Sequence, residues 1–318
     1  MSDLNKLITL LSDATPQSGE SIGKKLGVSR AAVWKQIKQI EEMGLSVISK
    51  TGQGYQLSEA IELLDASAIA SNAQGNLSTQ QICILGSTIS TNDYCQKQAN
   101  HGEWVFAEHQ TGGRGRRGKA WHSPYGSNLY MSLKWHFDTA QASLEGLSLV
   151  IGLAIARSFQ SLNLSNIGLK WPNDVYIDNE KVSGILIDIQ GDLAGLCELT
   201  IGIGVNIHMQ KDQGTTIDQP WTSLIQSHSV PISRNQVAGL ICANVQELLH
   251  KFTADGLPAF QDEWQTYDYL AGQSVTLNLG ARQISGTAVG IDDGGALVIE
   301  TKEGRQTYAG GEVSVKKQ

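Results

Sequence analysis

The sequence predicts a multidomain α+β protein in three parts: a small helical head, a larger body of mixed strands and helices, and an all-β tail. Three observations predict it. Apolar residues recur at three- and four-residue spacing over the first forty positions. Short alternating runs separated by glycine turns fill residues 271 to 318. Between them, strand-like runs come in adjacent pairs with helices grouped around them, an α+β order rather than strict β-α alternation. At 318 residues the chain is long enough for two or three units, each with its own core.

In the head, Leu4, Leu7, Ile8 and Leu11 mark one face of a first helix, closed by Pro16. Ser18 opens a second helix, which carries Ile22 and Leu26 and stops at Gly27. Ser29 caps a third, whose inward face is Val33, Ile37 and Ile40 and whose opposite face shows Arg30, Trp34, Lys35 and Lys38. After Gly44, LSVISKTGQGYQL reads as two short strands joined at a Gly-Gln-Gly turn. Two helices joined at a turn glycine, the second basic at its start, followed by a hairpin wing, form the winged helix-turn-helix pattern. Residues 1 to 62 therefore read as a DNA-binding domain, in which Ser29, Arg30, Ala31, Trp34, Lys35 and Lys38 enter a major groove while Lys50 and Gln53 touch the backbone. The competing reading is a three-helix protein-interaction domain with solvated lysines. Residues 1 to 60 hold seven Lys/Arg and six Asp/Glu, a net of +1 on a chain of net charge −7. So small a positive charge predicts stable binding only as a dimer on a two-part site. Ser58 to Ser67, with apolar Ile61, Leu63 and Leu64 among acids, reads as a packed linker.

The body, residues 67 to 270, is expected to run strand (Ile82 to Leu85), capped helix (93 to 99), strand (Trp104 to Glu108), a glycine–arginine loop and a strand (Asn128 to Trp135). A core helix follows from Ser143 to Leu162, then strands at Ile167 to Lys170, Val175 to Ile177, Lys181 to Ile189 and Leu196 to Ile207, and helices from Asn235 to Phe252 and Leu257 to Tyr269. The segment Gln110 to Tyr130 holds three arginines, one lysine and five glycines. Glycine lets a ligand approach the backbone, and Arg114, Arg116 and Arg117 supply planar cationic forks for carboxylate or phosphate. Such a loop is costly to order alone, which predicts closure over an anion. Gly113 to Gly118 formally matches GxGxxG, but the turn-forming residues after it deny the helix that a dinucleotide site requires.

Two further stretches carry chemistry. LKWPNDVYID places Lys170 at a strand end, held by the turn at Pro172 beside Asn173 and Asp174. IGIGVNI alternates isoleucine and valine with Gly202, Gly204 and Asn206, so the glycines share a face that leaves room either for a flat ligand or for a closely packed helix. Ser90-Thr91-Asn92 caps the helix that follows and is a candidate for the same site.

Together, GRGRRGK, KWPND, KVSGIL and Gly-x-Gly-x-Asn, in that order, resemble the bacterial biotin–protein ligases, and with the winged head the class that also represses the biotin operon. The resemblance covers essentially the whole chain. It implies a class II synthetase-like central domain and an SH3-like C-terminal barrel over the nucleotide side. It also implies a biotin pocket lined by Ser90, Thr91, Asn92, Gln110, Gly113, Arg114, Gly115, Arg116, Lys170, Gly202 and Gly204. Lys170 matches the catalytic lysine, assisted by Arg116, and Arg116, Arg117, Trp121, Asn173, Lys181, Asn206 and Trp221 lie toward the adenylate. Lys119 and Ser183 depart from the usual arginine and glycine or alanine. ATP and biotin are the implied substrates, with Mg²⁺ on the phosphates and no protein metal site; the partners are a biotin carboxyl carrier protein, operator DNA and a second copy of the chain when ligand is bound. Two other readings stay open: a ligand-sensing DNA-binding regulator without enzymatic activity, and a lipoate ligase.

The tail, residues 271 to 318, reads as a small barrel of short strands. The acid-bearing N-terminal residues are not a secretory signal, and the longest uncharged apolar run, Gly146 to Ala156, is far below the roughly 20 residues of a membrane span, so a cytoplasmic location is expected. Cys83, Cys95, Cys197 and Cys242 are scattered without metal-ligand spacing, as expected of reduced thiols.

Overall fold

The computed structural model describes residues 3–50, 52–138, 144–190, 196–228, 232–279, 282–310 and 313–317. The head is built from helices α1 (Asp3–Leu11), α2 (Gly19–Leu26) and α3 (Arg30–Glu42) and the antiparallel wing β1 (Val47–Lys50) and β2 (Gly54–Leu57). Ser18 and Ser29 cap α2 and α3 through their hydroxyls, and Gly27 ends α2 at φ 70°, a left-handed turn that glycine adopts without steric cost. Val33, Ile37 and Ile40 of α3 bury against Leu7, Ile8, Leu11 and Ile22. The opposite face is exposed, with Trp34 at 54%. Helix α1 ends at Leu11, five residues before Pro16, and the chain then turns through Ala14 at φ 55°.

The linker is anchored, as its apolar residues predict: Ile61 N donates to Ser12 O (2.9 Å) in the head, and Leu64 N to Glu108 Oε1 (2.6 Å) in the body. The body opens with a helix that periodicity did not predict, α4 (Ala66–Asn72), capped by Asp65. There follow β3 (Ile82–Leu85), α5 (Thr91–Gln98), β4 (Trp104–Ala107), β5 (Leu129–Asp138), α6 (Leu147–Ser161), β6 (Ile167–Lys170), β7 (Asp174–Ile177), β8 (Glu180–Gln190) and β9 (Leu196–Val205). The short α7 (Leu224–Ser227), the long α8 (Arg234–Asp255) and α9 (Gln261–Thr266) complete the unit. Ser143, the expected start of α6, lies outside the described residues. The helix expected over Leu257 to Tyr269 is two pieces, a 3-10 turn over Leu257–Phe260 and then α9.

Seven strands form one sheet in the order β3-β4-β5-β9-β8-β7-β6, antiparallel except for β3 with β4. On one face, Leu129, Met131, Leu133, Trp135 and Phe137 of β5 and Ile201, Ile203 and Val205 of β9 bury with α6 and α8 in the main core. Helix α6 is buried on nearly every side, which explains its almost uniformly apolar sequence. The other face carries β5 Tyr130 and Ser132 beside the β9 glycines and is partly covered by α5. The tail is a five-stranded antiparallel unit, β10 (Ser274–Leu279), β11 (Arg282–Ile291), β12 (Leu297–Thr301), β13 (Gly304–Tyr308) and β14 (Val313–Lys317), in the order β13-β12-β11-β10-β14.

Candidate functional site

The site lies on the sheet face away from α6. In β9, Gly202 is paired with Ser132 and Leu186, and Gly204 with Tyr130 and Gly184. The protein's own side chains approach these glycines, and the helix-packing reading of the face holds at Gly202. A methyl group on Gly202 would collide with the Asn92 amide of α5, the helix-packing explanation. One on Gly204 would come within 2.5 Å of Trp121 Cε2, and one on Gly184 within 3.1 Å of Trp121 Cζ3. A flat group does lie on the bare backbone, and it is an indole.

Around Asn92 is a ring of neutral polar groups. Ser132 Oγ donates to Asn92 Oδ1 (2.6 Å) and lies 2.8 Å from Thr91 Oγ1. Thr91 N and Oγ1 meet Gln110 Oε1 at 2.8 and 3.1 Å, Gln110 Nε2 donates to Ser123 Oγ (3.1 Å), and Ser90 caps α5. Ser90, Thr91, Asn92 and Gln110 are thus brought together, with Ser132 as a member the sequence reading missed. A cluster of mixed amide and hydroxyl donors and acceptors suits a polar, uncharged group better than an anion.

The arginine loop closes on itself. Trp121 N donates to Gly113 O (2.8 Å) and Gly115 N to Lys119 O (2.7 Å), and Arg114 bridges to Ala120. Its three arginines differ. Arg114 is paired with Asp93 (2.7 Å) and Asp188 (3.0 Å), which locks the loop to α5 and β8. Burial by itself would lower its pKa, but these two carboxylates raise it overall. Arg116 donates to Asn173 Oδ1 (3.1 Å) and to the Gly310 carbonyl of the tail, and its burial lowers its pKa. Arg117, at φ 58°, is exposed and has no polar partner among the described residues.

Lys170 ends β6 and donates to Tyr176 Oη (3.1 Å); burial lowers its pKa, against the opposing pull of Asp174. Trp171–Pro172 is a cis peptide, and the bend is braced by the tail through Trp171 Nε1 to Gly295 O (3.0 Å). Lys170, Asn173 and Asp174 line a small pocket open to solvent, with Ser148 and Ile185. Asp174 also pairs with Lys181 (2.6 Å), whose Nζ lies 5.6 Å from the Trp121 ring. On the far side of Lys181, a cleft of about 330 Å³ is lined by Trp121, His122, Lys181, Asn206, Gln219 and Trp221. Asn206 is buried there, donating to Thr222 O (3.0 Å). Trp121 Nε1 is buried without a partner among the described residues, a donor available to a bound group. The departure at Ser183 has a structural account, since its hydroxyl donates to Gly204 O (2.8 Å). Lys119 is exposed. Burial pushes the Cys95 thiol up to about 12, which keeps it protonated and argues against a thiolate nucleophile.

The comparisons with known proteins decide what assembles such a site. Residues 78–206 match the Biotin/lipoate A/B protein ligase family, residues 3–56 an HTH domain and residues 271–316 the Biotin protein ligase C terminal domain. The chain is 35% identical to the bifunctional ligase/repressor BirA of Escherichia coli (strain K12) over 314 residues, 98% of this chain and 96% of that one. This chain belongs to the bifunctional ligase/repressor BirA family. BirA of Bacillus spizizenii is 31% identical over 94% of both chains. Among solved structures, the biotin protein ligase of Aquifex aeolicus in complex with biotin and ATP superposes with a TM-score of 0.67 at 29% identity, over 74% of this chain and 99% of that one. The part of this BirA-family chain not covered is close in length to its head, linker and α4 together.

Proposed function

We propose that this protein is an ATP-dependent biotin–protein ligase and biotin-operon repressor in which the site above makes biotinyl-5'-AMP. The single observation that carries the reading is that three motifs distant in sequence meet at one place: the arginine loop reaches the Lys170 bend through Arg116 and Asn173, and lays Trp121 across the Gly184–Gly204 pair. Full-length similarity to a family of ligase/repressors supports both activities.

The biotin carboxylate attacks the α-phosphorus of ATP and pyrophosphate leaves; a carrier lysine then attacks the acyl carbon and AMP departs. Ser90, Thr91, Asn92 and Gln110 hold the neutral ring system, with Gly113, Arg114 and Gly115 closing the loop and Gly202 and Gly204 leaving room for Asn92 and Trp121 to line the site. Lys170 and Arg116 stabilise charge as it shifts from the attacking carboxylate to the phosphate, since phosphoryl transfer depends on positioning and charge more than on covalent help. Arg117, Trp121, Asn173, Lys181, Asn206 and Trp221 form the nucleotide side. Asp174, in the wall of the Lys170 pocket, would be a carboxylate facing Mg²⁺ carried on the phosphates, which would neutralise part of their charge. The functional division is a DNA-binding head (1–62), a catalytic body (67–270) and a bracing tail (271–318).

The head binds operator DNA through Ser29, Arg30, Ala31, Trp34, Lys35 and Lys38, with Lys50 on the wing. All of these are exposed. The adenylate favours a homodimer that presents two heads to a two-part operator, and the biotin carboxyl carrier protein competes for the monomer. The test is incubation of the full chain with ATP, Mg²⁺ and either biotin or lipoate, reading pyrophosphate. Release with biotin and not with lipoate is expected; release with lipoate alone would move the protein to the other branch of the ligase family.

A further inference from the structure

Behind Asn206 in the nucleotide-side cleft runs a chain of buried polar groups to which the chemistry above assigns no part. Asn206, in the cleft wall, accepts through Oδ1 from Asn128 Nδ2 (3.4 Å). Asn128 is fully buried; its Oδ1 accepts from Ile207 N (2.9 Å), and its carbonyl accepts from Arg234 Nε (3.1 Å) and Nη2 (2.8 Å). Arg234, also fully buried, pairs with Glu108 (2.9 Å) and donates through Nη1 to the carbonyl of Glu62 (2.6 Å), which lies in the linker. The Glu62 carboxylate in turn accepts from Ser233 Oγ, Arg234 N and Asn235 Nδ2, sitting on the N-terminus of the 22-residue α8. The adjoining linker residue Ile61 is bonded to Ser12 of the head.

Burying an arginine costs several kcal/mol unless every donor is partnered, and apolar residues of similar volume often serve stability as well or better. Stability alone therefore gives no reason for a guanidinium at this depth. A fixed set of directions does, because the planar fork dictates where Asn128 O, Glu108 and Glu62 O must lie.

We infer that Arg234 is a positioning residue: through Asn128 and Asn206 it ties the head's linker to the wall of the nucleotide cleft, so that the cleft's affinity for ATP depends on how the linker is held. The inference rests on the nucleotide reading of that cleft. It also gives the repressor a direct physical connection between ligand and head, because whatever the linker does to ATP binding, ATP binding does to the linker.

The test uses the full chain with two substitutions. Glu62→Ala frees the half-buried linker while leaving the Arg234–Glu108 pair and hence the core intact. Arg234→Lys keeps the charge but cannot reach all three acceptors. Pyrophosphate release is measured with ATP varied at saturating biotin and with biotin varied at saturating ATP, below each variant's melting temperature. In both variants KM for ATP should rise about five-fold, within the range of substitutions that act on a site they do not touch, while kcat and KM for biotin stay within about two-fold. A merely structural role would lower the melting temperature and the active fraction, and so kcat, without separating the two KM values. An unchanged KM for ATP in Glu62→Ala, or equal rises for both substrates, would overturn the inference while the wild type still turns over. No pyrophosphate from the wild type would overturn the nucleotide reading and this inference with it.

Discussion

Replacing Gly202 by alanine tests whether the bare strand face is needed for the biotin side of the site. The added methyl group would collide with Asn92 Oδ1, and Asn92 cannot yield cheaply. Its Oδ1 accepts from Ser132 Oγ (2.6 Å) and its Nδ2 donates to Asp188 Oδ2 (3.0 Å) and Leu186 O (3.3 Å). Moving it forfeits two neutral hydrogen bonds and one to a carboxylate, together about 3–6 kcal/mol if all three are lost. Alanine returns about 0.5–1 kcal/mol of backbone entropy relative to glycine in a strand, so the net cost is about 2–5 kcal/mol. Part of it falls on stability and part on the ligand, which leaves biotin affinity about ten-fold weaker if about 1.4 kcal/mol of it is expressed in binding. Titration calorimetry with biotin and urea denaturation of the same preparation would separate the two parts. Wild-type affinity together with wild-type stability would refute the argument, since it would mean that Asn92 is not held as described.

Lys170→Ala should abolish pyrophosphate release with little change in unfolding, and near-normal turnover would remove Lys170 from the chemistry. In the wild type, burial depresses its pKa, so the cation needed for phosphate is lost on the alkaline side below the ordinary value of 10.5, and the high-pH limb of kcat/KM should fall there; a limb at or above 10.5 would contradict it. The same sign means that stability increases with pH between the folded and unfolded pKa of this group, because the unfolded chain binds the proton more tightly. Arg116→Gly removes the link from loop to Asn173 and tail, so adenylate should still form but escape, read as free biotinyl-5'-AMP in the medium; no increase over wild type would count against the closure role. On the head, Lys35→Ala should weaken operator binding at every sequence and lower the slope of log affinity against log salt by about 1, whereas an unchanged slope would place Lys35 off the DNA.

How much of this was legible in the sequence depended on whether the signal was local. The head's helices could be read because Ser18, Gly27 and Ser29 mark their ends and the Val33–Ile37–Ile40 face repeats at helical spacing. The glycine face of β9 could be read for the same reason, as a period of two. Helix α4 could not: ASAIASN buries a single large residue, Ile69, and is held by packing against α8 from more than 160 residues away, although Asp65 at its cap was a usable sign. Nor could periodicity say that Trp121 would fill the Gly184–Gly204 window, that Asp93 and Asp188 would take Arg114, or that Gly310 of the tail would offer its carbonyl to Arg116. Each is a contact between distant segments, fixed by strand order and register, which a run of residues does not encode.

The loop that most clearly marked the sequence owes its use to an asymmetry among its arginines. Arg114 faces two carboxylates, so drawing it to an anionic ligand would strand Asp93 and Asp188, an unfavourable exchange. Arg116 donates to an amide oxygen of the Lys170 bend and to a carbonyl of the tail, and so ties the loop to both. Arg117 already stands exposed at a left-handed backbone position. Arg114 therefore serves as the hinge pin of the loop, while Arg117 stands open to solvent. Because the partners of Arg116 come from the Lys170 bend and from the tail, that one side chain joins three segments, the loop, the bend and the tail, so a substitution at Arg116 acts on all three at once.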